Sequence, residues 1–358
     1  MNGRPVHEQG SDLSKVGFNR GVASSVRVTT ALAVGALAAS ALVGCSGDVK
    51  PKAVSGASGT TQAPTPTVVV PNPLTGMGTS PIGPVIAVKL DDTAAGRPSL
   101  GLDKADVIYI EEVEGGLTRM VAVFASAKPS VRAVRSIRSS DPELLGQYGR
   151  IIVVASGGGR KALKILDAST LHSVINDRGQ VGFHRDFSRP GPYNVVSDLA
   201  KVSAAIKAAG VRKVGFTWAV RDPRLAVAKP AVTVSTRVGS TSVDFVWDAK
   251  LRRYVRTVDG HRIVTGSGVP VAKPNVLVQF CKVVPDPTDH DVNGNPTMFT
   301  KSIGSSRVVL FRGGKRILGT WSRPTIDAST TFRDAAGKPL LFAPGGTFVA
   351  LARTGAPA

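Results

Sequence analysis

The chain has 358 residues, with 45 Lys and Arg against 25 Asp and Glu, for a formal charge of +20. Apolar residues reach 42% and charged residues only 20%, which excludes a wholly disordered chain, and 2 Cys exclude a disulfide scaffold. The length fits about two domains able to bury a core, and the basic excess points to an anionic partner or surface.

Residues 1–27 are polar and end in Arg20 and Arg27. Val28 to Val43 then runs without a charge, and Gly44 and Cys45 follow. A basic segment, a short apolar run and small residues before a break predict a secretory signal over residues 1–44. The run falls short of the roughly 20 residues that a membrane helix needs. Leu42-Val43-Gly44-Cys45 resembles a bacterial lipobox, which implies acylation of the Cys45 thiol and removal of the signal. The alternative is an uncleaved N-terminal anchor. Residues 45–71 are rich in Ser, Gly, Thr, Ala and Pro and predict a flexible tether. Its root-mean-square span is on the order of 30 Å. This address excludes nucleic acid and leaves the membrane, anionic lipid, glycan or an envelope protein as partners.

From Val85 the pattern predicts an α/β domain over residues 72–225. Val85–Val88, Ala105–Ile110, Met120–Phe124 and Ile151–Ala155 read as strands. Arg160–Asp167 reads as a helix with Ala162, Leu163 and Leu166 on one side, and Asp198–Ala209 as another, stopped by Gly210. Residues 226–358 read as a mostly β domain. Its runs are Val232–Val238, Ser242–Trp247, Tyr254–Val258, Val276–Val284, Arg307–Phe311 and Lys315–Trp321, with turn pairs such as Asp259-Gly260 between them. Cys281 falls in a buried run and reads as a small core residue, not a nucleophile.

Arg132, Arg135 and Arg138 are three apart in an otherwise apolar segment. On a strand, Arg132 and Arg138 share a face, and a turn at its end lets Arg135 and Arg138 converge. Guanidinium forks bind phosphate bidentately, so Arg135 and Arg138, with Arg119, are candidate ligand contacts; solvated surface charge is the alternative. Ser156-Gly157-Gly158-Gly159 joins a strand to a helix start, where backbone N–H groups can hold an anion, but no Walker Lys-Ser/Thr pair follows. Asp91, Asp92, Glu111, Glu112 and Glu114 fall at or just past strand C-termini, the edge where α/β sheets bind ligands. Of these, Asp91, Asp92 and Glu114, with Asp141, are candidate Mg²⁺ ligands, although pairing with Lys89 or Arg119 would also account for them. The polar loop from Phe183 to Asn194 adds Arg185, Arg189 and Asn194 as candidate contacts. Asp289-His290-Asp291-Val292-Asn293-Gly294 matches half of a calcium loop, but Thr300 stands where the closing Glu belongs.

Several blocks together resemble the YerB-type bacterial lipoproteins: Pro73-Leu74-Thr75-Gly76, Ala105-Asp106-Val107-Ile108-Tyr109, Glu114-Gly115-Gly116-Leu117-Thr118-Arg119, Val134-Arg135-Ser136, Ser156-Gly157-Gly158 and Thr320-Trp321-Ser322-Arg323-Pro324. The resemblance spans residues 72 to 351 and implies a membrane-anchored, two-domain protein without an assigned activity. The chain departs from the pattern at Arg132-Ala133, at Asp91-Asp92-Thr93 and at Pro192-Tyr193-Asn194, where the family has Gly-Pro, Asp-Asn-His and Pro-His-Asn. A role for His at those positions does not carry over.

The block order Asp106-Val107-Ile108, Ser136–Asp141, Gly157-Gly158-Gly159 is more faintly similar in layout to the LytR-CpsA-Psr phosphotransferases. That likeness implies a polyprenyl diphosphate held by Arg135 and Arg138, with Mg²⁺ on Asp92 or Asp141.

Overall fold

The structure is a computed structural model that describes residues 70–291 and 293–358. The signal, Cys45 and all but the end of the tether lie outside the described residues.

The frame is a mixed sheet of eleven strands. Nine carry it: β1 (Ile86–Asp91), β2 (Val107–Glu112), β3 (Thr118–Phe124), β4 (Ile152–Ala155), β5 (His172–Ile175), β6 (Asn275–Cys281), β7 (Gly304–Arg312), β8 (Lys315–Arg323) and β9 (Thr347–Arg353). Their spatial order is β8-β7-β6-β9-β2-β3-β1-β4-β5. Lys229–Pro230 and Thr331–Arg333 add short strands beside β8.

Every residue of β1, β2, β4 and β6 is buried. Such unbroken apolar runs belong to strands covered on both faces. Side chains alternate between two cores: Ile86, Val88 and Leu90 enter one, and Ala87 the other. A second, antiparallel sheet built from Thr233–Val238, Thr241–Asp248 and Arg253–Val258 covers the first face with Val234, Phe245 and Tyr254. The other face is covered by α1 (Asp141–Leu145), α2 (Arg160–Ala168) and an aromatic group of Phe216, Phe332 and Phe342. Ala162 and Leu166, four apart, are the buried positions of α2.

The strands and α2 fall close to the expected positions. Two elements differ. The helix after Asp198 is shorter than expected: α3 (Leu199–Ala205) is capped by the Asp198 carboxylate, which accepts from the N–H groups of Ala200 and Lys201 at 3.1 Å. Beyond it the chain is held by other backbone, with Ala209 bonded to both Val85 and Arg150, so tertiary pairing overrides helix propensity. Val276–Val284 divides into β6 and an outer hairpin of Val283–His290 and Pro296–Thr300.

The expectation of an α/β half beside a separate β half needs a correction. β9, from the C-terminal half, lies between β6 and β2 and pairs in parallel with both. One sheet therefore crosses the boundary near residue 226. The arginine segment is also less regular than a strand: only Ser130–Arg132 is strand, and Val134 and Ile137 make isolated bridges to Leu90 and Gly158.

Candidate functional site

Strands β2, β1, β4 and β5 run in the same direction, and their C-terminal ends open onto a cleft of about 490 Å³. Asp91 ends β1 and Thr93 follows it, Glu114 follows β2, and Thr118 and Arg119 begin β3. Ser156, Gly158 and Gly159 follow β4, and Asp177 follows β5. Arg135, Ser136 and Arg138 cross the floor, Tyr193 closes one side, and His290 and Asp291 reach in from the outer hairpin. Backbone bonds from Ser156 N–H to Arg135 O and from Ile137 N–H to Gly157 O, both 2.9 Å, lock the arginine segment beside the glycine turn. A Cβ on Gly158 would lie 2.8 Å from the Ile137 side chain, so glycine suits this close approach.

The three arginines are not equivalent. Arg138 is saturated. Its Nε and Nη2 donate to Glu114 Oε1 and Oε2 at 2.5 and 2.6 Å, and Nη1 reaches the Ile137 carbonyl at 3.1 Å. Arg119 is cross-strand partner to both Asp91 and Glu111, yet it forms no ion pair among the described residues. Its single bond runs from Nη1 to the Ser136 carbonyl at 3.2 Å. Burial, and then the neighbouring Arg138 and Arg135, hold its pKa down to about 10. Arg135 lies 3.4 Å from Asp91 through Nε and 5.0 Å over the Tyr193 ring, and its buried Nη1 has no partner. The floor thus holds one neutralised arginine and two with spare donors.

The candidate metal ligands do not come together. Asp92 accepts from Arg256 at 2.8 Å and from Thr118 at 2.7 Å. Asp141 lies under the floor, bound to Lys89 at 2.8 Å and to the Arg138 N–H at 2.6 Å. Glu114 is held by Arg138. Asp91 accepts from the Thr93 N–H and hydroxyl at 2.7 and 2.6 Å. Among the described residues no three His, Cys, Asp or Glu side chains converge on a metal position.

Arg185, Arg189 and Asn194 sit behind the rim. Arg185 donates to Asn194 Oδ1 at 2.9 Å, and Arg189 to the Arg97 carbonyl at 3.3 Å. The half-matched calcium loop is the tip of the outer hairpin. Asp291 Oδ1 accepts from the N–H groups of Asn293 and Asn295 at 2.9 and 2.8 Å, and Asp289 is buried against Gly159.

Sequence reading missed three residues of the cleft lining. Tyr193 entered only as a departure from a family pattern, and Asp177 not at all. His290 was hidden in the calcium-like motif. Lys89 pairs with Glu111 and Asp141 beneath the arginines, and all three are fully buried. This is the pairing that the sequence offered as the alternative to metal ligation, with Glu111 at the end of β2 and Asp141 at the start of α1. Cys281 is a core residue whose thiol is pushed up to about 12 by burial, which fits the expectation of an inert thiol.

Residues 74–212 match the family described as "Protein of unknown function (DUF3048) N-terminal domain", and residues 232–349 match its C-terminal domain. YerB of Bacillus subtilis (strain 168), which bears the name of a candidate lipoprotein, is 29% identical over 282 residues, 74% of this chain and 80% of that protein. The crystal structure of YerB from Bacillus subtilis superimposes with a TM-score of 0.67 at 22% identity, covering 80% of this chain and 99% of the other.

Proposed function

The chain belongs to the DUF3048 family, carrying both of its domains in order, and from this premise we propose that it is a membrane-anchored, extracytoplasmic lipoprotein whose arginine cleft binds an anionic cell-envelope ligand. The anchor is Cys45, whose thiol is acylated before residues 1–44 are removed, with residues 45–71 as tether. The name of the Bacillus relative supports that address.

One observation carries the ligand class. Arg119 and Arg135 are held in the cleft with donors unused, and Arg135 Nη1 is buried without a partner. Leaving a buried donor unmade costs about 1–3 kcal/mol. An anion seated between them would recover that cost. Phosphate and carboxylate both match a guanidinium fork. Asp177, Asp291 and Tyr193 on the walls match the hydroxyl groups of a glycan bearing that anion. The phosphotransferase reading would need Asp92 or Asp141 free for Mg²⁺. Both are engaged with cations, so binding is what the geometry favours.

Calorimetry with inorganic diphosphate and with a glycerol phosphate polymer tests this. The chain from Pro66 onward, one compact unit by its contacts, is the sample. Wild type is expected to bind, and Arg119→Gln to weaken binding by roughly 10- to 100-fold, the value of one or two charged hydrogen bonds. Arg135→Lys is expected to fail similarly, because an ammonium lacks the fork. No heat from either anion, or wild-type affinity in both variants, would overturn the proposal.

A further inference from the structure

Phe187 is 86% exposed. Among the described residues every other aromatic ring is buried or half-buried. Its exposure is built in. Asp186 Oδ1 accepts from the Ser188 N–H and hydroxyl at 3.1 and 2.5 Å, and the Arg189 N–H bonds to the Asp186 carbonyl at 3.1 Å. The Asp186 N–H in turn bonds to the Asn194 carbonyl at 2.9 Å. These bonds close a tight turn that leaves the ring at its outer corner.

The charge around that ring has one sign. Arg185 precedes it and Arg189 follows. The segment's one acid, Asp186, is held by Arg132 at 2.5 Å. An apolar ring raised above a collar of cations fits a surface that is apolar inside and anionic outside, which is a bilayer of anionic lipid. A protein groove would supply the first property without the second. The same segment ends in Pro192 and Tyr193, which line the arginine cleft.

We propose that the 183–193 loop docks on anionic membrane, with Phe187 in the acyl boundary and Arg185 and Arg189 among the headgroups. The cleft mouth then lies at headgroup level, so its ligand is presented by the membrane. This contact is independent of Cys45 and of whether the cleft binds anions.

Co-sedimentation of residues 66–358 with vesicles of phosphatidylcholine, with and without 30% phosphatidylglycerol (about the anionic content that sustains a surface potential), tests it. Wild type is expected to sediment with the anionic vesicles and to stay in solution with the neutral ones. Phe187→Ser is expected to lower the partition coefficient about tenfold, and Arg185→Glu with Arg189→Glu by at least as much. Phe187→Trp is expected to keep binding and to shift its fluorescence to the blue. All three positions lie outside the cleft lining, and an unchanged cooperative melt serves as the control for folding. Failure of wild type to bind anionic vesicles would overturn the proposal. So would equal binding to neutral vesicles, or binding that ignores the loop variants.

Discussion

The central sheet buries charge at both of its ends, and the two ends treat it differently. At the end where β2 and β6 begin, the Asp106 carboxylate accepts from the N–H groups of Ala125 and Ser126 at 2.6 and 2.8 Å and from the Ser126 hydroxyl at 2.6 Å. Nearby, Lys273 donates to the carbonyls of Asp103 (2.9 Å) and Ala105. Each charge there is answered by backbone from its own neighbourhood. At the opposite end, Arg119 makes one bond and Arg135 leaves a buried nitrogen without any. A buried charge whose bonds are complete holds the fold together. A half-buried cation with donors left over, one of them out of reach of water, is unfavourable until something else arrives, which is the mark of a binding site.

The largest expected effect concerns the sheet that joins the two ends. Residues 72–225 alone would lose β9, leaving β2 with an open edge and half its covering. That fragment is expected to show no cooperative melt, while residues 66–358 melt in one transition. A cooperative transition from the fragment would show that the halves do not depend on a shared core.

Single substitutions should then separate the ends. Asp106→Ala leaves the buried Ala125 N–H and the Ser126 N–H without an acceptor and is expected to cost about 2–3 kcal/mol in urea unfolding. Arg119→Leu removes a half-buried cation that forms no ion pair among the described residues. It is expected to leave stability within about 1 kcal/mol of wild type, or to raise it, while anion binding is lost. Equal losses from the two variants would erase the distinction between a structural and a binding end.

This distinction also explains what was legible beforehand. The strands of both halves stood out because unbroken runs such as Ile86–Leu90 and Val276–Cys281 must be buried. Arg119, Arg135 and Arg138 were legible as a cluster because they follow strands that end at one edge. Their inequality was not. Whether Glu114 turns to Arg138 or stays free depends on contacts between residues 24 apart, which no spacing rule reaches. The shared sheet was hidden for the same reason. β9 reads like any C-terminal strand, and only pairing with β2 and β6, far away in sequence, places it at the centre.

The smallest expected effect is on pH dependence. Burial holds the pKa of both Lys273 and Lys89 down to about 8, from 10.5 for the free side chain. Between those values the unfolded chain binds protons that the folded chain resists, so stability should rise as pH increases from 8 and be flat below it. Tyr109 works the other way. Burial pushes it up to about 12, so above pH 10 only the unfolded chain ionises it and stability falls. The observable window is therefore pH 8 to 10. Lys273→Met removes one of the two lysines and should make the rise shallower. Arg119→Leu should alter it less, because Arg119 contributes to lowering Lys89 only after burial itself. Melting temperatures of the three proteins at half-unit steps of pH would read this. A rise in Lys273→Met as steep as in wild type would mean that Lys273 keeps its ordinary affinity for protons, and that the backbone end stabilises a charge as readily as water does.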